Sequence, residues 1–361
     1  MEFLIAQNIL SSNLPEFLNF ILIFAAEFLV IIIFLVISVF ITMYAERKIY
    51  SLFVYNKIPH KARFSDSLRI IANSVKLIFQ DAVIPDKADK TGFVLAPVIA
   101  LAPVIFVWTI IPFNTDFCIC KFDGGVILFF TMLMIFSFGV LLGGRASENK
   151  FSLISALRCC LQVISYEIPV LLSVMSVVIL SGTLSLPQTV IAQAKYDIFS
   201  WYIFPSFFGF LIFVISGLAL VSMTPFGFSK RESNLYSGYL AEYSGIYYAV
   251  FNLAEYALLF IVCVYASTLF LGGFLSPFGI YVADFFSNNG LYYIILTTEQ
   301  IFWLLSKTIV LILLIFWVKT ALPLLKPDIL ASFAWKYLIP LSVINLLIVA
   351  VIKLAFGGIY V

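Results

Sequence analysis

The chain has 361 residues, 63% of them hydrophobic and 11% charged, against roughly 25% charge in ordinary soluble domains. So little polar surface cannot coat a water-soluble core of this size, and the composition indicates a polytopic membrane protein. A balance of 21 Lys and Arg against 19 Asp and Glu, a net +2, gives no electrostatic case for a nucleic-acid partner.

The first sixteen residues, MEFLIAQNILSSNLPE, carry two glutamates and neither Lys nor Arg. No basic leader region is expected there, and insertion falls to the first spanning segment. Runs near twenty apolar residues long mark helices that can cross a hydrocarbon layer about 30 Å thick. Eight such spans are predicted, near residues 20–43, 93–113, 126–143, 163–180, 202–223, 246–270, 291–318 and 337–356. Between the first two lies FSDSLRIIANSVKLIF, with Leu68, Ile71, Val75 and Ile78 spaced three and four apart while Arg69, Asn73 and Lys76 point elsewhere. That spacing predicts an amphipathic helix lying in the membrane interface. The expected fold is therefore an all-α polytopic membrane protein, a single membrane domain over 1–361, built as a bundle of eight transmembrane helices with an interfacial helix in its first inner loop.

Of the 21 basic residues, 17 fall in the segments after spans 1, 3, 5 and 7, two (Lys121 and Lys195) in the opposite loops, and Lys307 and Lys353 within or near the last two spans. The positive-inside rule puts the basic segments in the cytoplasm or matrix and both termini on the other side. The cysteines, Cys118, Cys120, Cys159, Cys160 and Cys263, follow neither a zinc-type nor a disulfide-framework spacing, and His60 is the single histidine. They read as small apolar residues, and no haem or iron–sulfur cluster is expected in this chain. There is no phosphate-binding G-x-x-x-x-G-K-[ST] loop and no evident internal repeat, which removes the usual signs of ATP-driven chemistry and of inverted-repeat transport.

Ionisable residues nevertheless occur within or at the ends of the spans: Glu27, Glu46, Glu167, Glu242, Glu255, Glu299 and Lys307. A charge at the centre of a spanning helix costs roughly 2.5–3.5 kcal/mol on insertion scales, so it generally has a partner or a task. Glu27 and Glu299 lie near helix ends, where headgroups or a neighbouring helix can satisfy them. Glu167 is sharper, because in ISYEIPVLL it stands two residues before Pro169, whose missing N–H leaves the Ser165 carbonyl in need of another donor. Two readings stay open for it: a proton relay beside ordered water, or a buried interhelical hydrogen bond. Glu255, in FNLAEYALL, poses the same question with no basic residue nearby in sequence.

Seven stretches in order, YAERK (44–48), VIPDKADK (83–90), ASENKFSLISALRCCLQVISYEIP (146–169), SGTLSL (181–186), AEYSG (241–245), LAEY (253–256) and FWVKTALP (316–323), resemble a membrane subunit of respiratory complex I, the H subunit of bacteria and its mitochondrial equivalent, subunit 1. The resemblance implies a component of the proton-translocating NADH:quinone oxidoreductase that joins the hydrophilic and membrane arms. It implies that the chain binds no cofactor alone, that quinone is the substrate, and that FMN and iron–sulfur clusters reside in partner subunits. It further implies a proton path through Glu167, Glu255, Glu232 and Glu242, and a quinone chamber touched by Glu46, Arg47, Asp81, Phe226 and Lys319. Its partners would be the other complex I subunits and the lipid bilayer, with no nucleic acid. The expected location is a bacterial inner membrane with both termini periplasmic, the alternative being the mitochondrial inner membrane.

The departures cluster after span 5, where the family reads like AETNRxPFDLPExESEL and this chain reads ALVSMTPFGFSKRESNL. Family acids fall on Leu220, Gly227, Lys230 and Asn234, and its Arg on Met223. Lys319 stands for an Arg, which exchanges a forked donor for a point charge. Two other readings therefore stay beside the first: the equivalent subunit of a membrane-bound hydrogenase-type complex, and a degenerate scaffold paralogue.

Overall fold

A computed structural model describes residues 16–53, 65–114, 120, 122–194, 200–223, 225–227, 238–279, 292–323, 325 and 327–360. Among them the regular structure is helical throughout, and no strand occurs. In chain order the helices are α1 (Glu16–Phe53), α2 (Ser65–Phe79), α3 (Lys90–Trp108), α4 (Gly125–Ala146), α5 (Lys150–Ser181), α6 (Leu186–Ala192), α7 (Phe207–Leu220), α8 (Gly245–Phe270), α9 (Tyr292–Ala321), α10 (Pro327–Phe333) and α11 (Ile339–Tyr360), with a π-helical turn at Ala334–Leu338 between the last two.

Among the described residues, seven helical stretches are long and apolar enough to cross a membrane, one fewer than the eight spans expected. The shortfall lies at the predicted 202–223 span, where only the 14 residues of α7 are helical, roughly 21 Å of axial rise. At its start the backbone is still turning, with Ser206 N bonded to the Tyr202 carbonyl, and the amide of Gly209 is taken by Asn345 Oδ1 of α11 at 3.1 Å. At its end the chain folds back through Met223 N to the Leu218 carbonyl, with Ser222 at φ 51°. Irregular backbone at membrane depth requires such protein partners, and α7 packs against α5 and α11. Hydropathy registers the apolar run but not the points where it stops being helical.

Other helices run past their predicted limits, α1 and α5 among them. α1 continues ten residues beyond Met43 to Phe53. α5 begins at Lys150 rather than Val163, its start fixed by Asn149 Oδ1 accepting from the Phe151 amide at 3.0 Å and its end by Gly182 in the left-handed conformation. The polar residues there are helical but leave the apolar stretch, so a hydropathy window misses them. α2 forms as expected and packs on α8 and α1, with Ile70 buried while Val75 and Ile78 stay exposed; the side chains of Leu68, Arg69 and Ile71 lie outside the described residues.

α8 is the axis of the bundle: every residue from Ala257 to Phe270 is buried, as expected of a helix apolar on all sides. Around it, small residues set the closest crossings. A Cβ added at Gly139 of α4 would come within 2.7 Å of the Ala100 amide of α3, and one at Gly144 within 2.2 Å of Ala156 in α5, the close packing that small residues permit in membranes.

The segments following α1, α4, α7 and α9 gather at one end. Val83 N bonds Ser244 Oγ at 3.0 Å, Asn149 Nδ2 bonds Glu242 Oε1 at 2.8 Å, and Leu325 N bonds the Pro225 carbonyl at 3.1 Å. These are the basic segments singled out by charge, and the candidate site opens among them.

Candidate functional site at the basic end of the bundle

A cavity of about 440 Å³ lies between the C-terminal parts of α1 and α9, the N-terminal part of α8 and the chain just before it. Its walls carry Glu46, Lys319, Glu255, Tyr239 and Tyr256, with Met223 and Gly227 from the turn after α7. The fold brings them there by three routes. Extension of α1 beyond its apolar run delivers Glu46, the basic last turn of α9 delivers Lys319, and a 3₁₀ turn at Gly238–Leu240, entered through Gly238 at φ 71°, delivers Tyr239.

Glu46 is the hub of one group. Its Oε1 accepts from Lys319 Nζ at 2.5 Å and its Oε2 from the Tyr256 hydroxyl at 2.6 Å. Lys319 also lies 3.5 Å from Met223 Sδ and 5.5 Å from the centre of the Phe316 ring. The second group is Glu255, 4% exposed, whose Oε1 accepts the Tyr239 hydroxyl. Glu255 and Tyr256 are adjacent on α8, so the two groups share one wall. A cation, two carboxylates and two phenols around an apolar-backed cavity can bind a polar head group, neutralise charge that develops on it and exchange protons with it.

Three of the candidates read from the sequence, Glu46, Lys319 and Glu255, thus meet. Phe226 is buried just behind, its ring edge-on to Tyr166 at 5.6 Å. Arg47, expected beside Glu46, is exposed, because adjacent helical positions differ by about 100° and only one can face inward. Asp81 is exposed on the segment after α2. Glu242 holds Asn149 on the α5 side, and Glu232 lies outside the described residues. Glu167 is 5% exposed on α5, away from the cavity wall, and its Oε2 has no hydrogen-bond partner among the described residues. The side chain of Glu27 is not among those described.

Lys307 is answered differently. Its Nζ donates to the carbonyls of Leu271, Gly273 and Leu275 at 2.7, 2.9 and 2.6 Å and sits 4.2 Å from the centre of the Trp201 ring. All three ammonium protons are used on the chain that leaves α8, the end of a helix where cations are favoured. Sequence reasoning passed over Tyr239 and Tyr256, although the density of tyrosine between residues 239 and 256, bracketing Glu242 and Glu255, was a usable signal.

The comparisons agree on one lineage. A family model described as NADH dehydrogenase matches residues 26–350. The chain is 38% identical over 289 residues to the H subunit of the NADH-quinone oxidoreductase of Bacillus cytotoxicus, covering 80% of this chain and 81% of that one. It is 34% identical over 317 residues to the H subunit of the Dehalococcoides mccartyi enzyme (88% and 83% covered). Against the H subunit of the Brevibacillus brevis enzyme it is 35% identical over 318 residues (88% and 89% covered).

Proposed function

Since the chain belongs to the NADH dehydrogenase family, as a membrane subunit of the H type of NADH-quinone oxidoreductase, we propose that its cavity forms part of the chamber where quinone is reduced and that its carboxylates begin the proton path coupled to that reduction. The observation that carries this is the convergence of Glu46, Lys319 and Glu255 on one cavity of about 440 Å³, within the roughly 300–1,000 Å³ usual for small-molecule sites. Reduction of a quinone places two electrons on a ring in a largely desolvated site, and two protons must follow. Lys319 offsets the transient negative charge, and the carboxylates, held by phenols, take up protons and pass them on to the ring. FMN and iron–sulfur clusters, in partner subunits of the hydrophilic arm, supply the electrons, and the membrane-arm subunits continue the proton route. The basic end then faces the cytoplasm of a bacterium, and the start of α1 faces the opposite side.

Loss of acids at Leu220 and Gly227 also fits an uncoupled scaffold. What favours the working site is the Glu46–Lys319 pair itself, a cation and an acid placed together on the cavity wall where a polar head group would sit.

The test is Glu255→Gln in the assembled complex. Proton translocation with NADH and quinone should fall roughly a hundredfold, the scale of a lost acid–base group, while NADH oxidation by ferricyanide, which bypasses the membrane, is unchanged. Wild-type translocation would overturn the proton role. Equal loss of both activities would show a folding defect and leave no support for this residue in the path.

A further inference from the structure

Among the described residues, the inward-facing tyrosines whose hydroxyls have partners divide by what those hydroxyls touch. Tyr166 donates to the Leu330 carbonyl at 3.0 Å, Tyr243 to the Gly143 carbonyl at 3.3 Å and Tyr265 to the Gly125 carbonyl at 2.9 Å. Tyr166 and Tyr265 each tie one helix to the backbone of another, Tyr243 ties the chain before α8 to α4, and all three use the phenol as a strut. Two of the four tyrosines on the cavity wall, Tyr239 and Tyr256, donate instead to carboxylates, Glu255 and Glu46.

Tyr239 is the more tightly held. It is 1% exposed. Its carbonyl accepts from Ser152 Oγ of α5 at 3.0 Å, and Ser152 Oγ accepts in turn from Ser147 Oγ at 2.8 Å. Its ring meets Phe251 edge-on at 5.8 Å, and Phe251 lies one helical turn before Glu255 on α8, on the same face. Backbone and ring are both fixed, so the hydroxyl has one place to point.

We propose that Tyr239 is a positioning residue for Glu255: its hydroxyl fixes the carboxyl on the cavity wall and sets how readily that carboxyl gives up and regains its proton. A phenol suits the task because it both donates and accepts. When Glu255 is ionised the Tyr239 hydroxyl donates to it; when Glu255 carries the proton, the carboxyl O–H can donate to the phenol oxygen, and the tyrosine stays neutral in both states. A carbonyl partner permits only the second arrangement, and an apolar neighbour permits neither. The inference rests on the proposed proton role of Glu255.

The experiment compares Tyr239→Phe with Glu255→Gln in the assembled complex. Tyr239→Phe should slow quinone-coupled proton translocation roughly tenfold, the scale of one charge-assisted hydrogen bond. It should also move the pH profile of quinone reduction and shift the Glu255 carboxyl stretch in infrared difference spectra, that band being assigned by its loss in Glu255→Gln. Ferricyanide reduction should stay at the wild-type level. An unchanged pH profile and an unmoved band would overturn the inference. If Tyr239→Phe does not assemble, the wild-type band decides, since a stretch at the frequency of a free carboxyl is incompatible with a phenol partner. A silent Glu255→Gln sinks the wider proton reading, whereas an impaired Glu255→Gln beside a wild-type Tyr239→Phe sinks only the role of Tyr239.

Discussion

Helix α9 holds two lysines, Lys307 and Lys319, twelve residues or roughly 18 Å apart along one axis, and the chain uses them in opposite ways. Lys307 spends its three protons on three backbone carbonyls, partners that do not themselves titrate. Lys319 faces a cavity and a carboxylate, Glu46, which is itself a group that can gain a proton. The middle of the helix is stapled and its C-terminal end is poised. Lys353, whose Nζ donates to the Ile179 carbonyl at 2.6 Å, repeats the first pattern at the end of α5. A lysine among apolar residues is therefore a functional lead only when its partner can change charge.

The largest effect should come from breaking the staple. Lys307→Met preserves length and removes the ammonium, leaving the carbonyls of Leu271, Gly273 and Leu275 to find other donors in a nonpolar setting. Leaving a buried acceptor without a donor costs about 1–3 kcal/mol and three are affected here, so the complex should lose this chain or show a markedly lower thermal midpoint. Normal yield and midpoint would show that the clamp is dispensable.

Lys319→Met should behave in the reverse manner, with near-normal assembly and an impaired site. The pair with Glu46 is only partly buried, so its loss should cost about 1–2 kcal/mol in quinone reduction, seen mainly as a raised KM for quinone. A double-mutant cycle with Glu46→Gln sharpens the comparison. If the two residues act as one unit, the double variant should be little worse than either single variant; simple addition of the two losses would separate them. Lys319→Arg, which restores the family's side chain, should recover part of the rate.

Glu167→Gln should have a smaller effect, a several-fold loss of coupled translocation with assembly intact, because its carboxyl is buried but stands apart from the cavity. Full translocation would leave Glu167 as a structural hydrogen-bonder.

The bundle was largely legible because hydrocarbon imposes a length and a composition on whatever crosses it. α8 and α4 begin within one residue of expectation, at Gly245 and Gly125. What escaped was set by tertiary partners: α7 stops short because Asn345 and the turn at Ser222 satisfy backbone that would otherwise demand helix. Along the cavity wall, acids stood out as anomalies in an apolar sequence, so Glu46 and Glu255 could be named as candidates from it. Tyr239 and Tyr256 were not, because tyrosine is ordinary near a membrane interface and only geometry shows a hydroxyl aimed at a carboxylate. The neighbours Glu46 and Arg47 were paired in expectation and parted by helical phase.

The smallest expected effect lies outside the spans, at Asp89, and it extends the contrast to a carboxylate that is purely structural. Asp89 caps α3, its Oδ1 accepting from the Thr91 hydroxyl at 2.8 Å and the Thr91 amide at 3.2 Å. The Thr91 hydroxyl above all, with the backbone amides of Gly92 and Thr91 and the charge of Arg145, holds this carboxyl below its ordinary range. A carboxylate whose folded pKa is depressed adds stability that is complete above its unfolded pKa, about 3.9, and is lost as pH falls through the folded value. Asp89→Ala should therefore lower the thermal midpoint slightly and by the same amount at pH 8 and pH 6, with the difference closing only in acid below about pH 4. Asp89→Asn, which can still cap the helix, should keep most of the wild-type midpoint across that range. A loss that instead grew between pH 6 and pH 8 would mean that Asp89 senses a titrating neighbour and belongs with the poised end of the molecule, next to Lys319, and not with the staples.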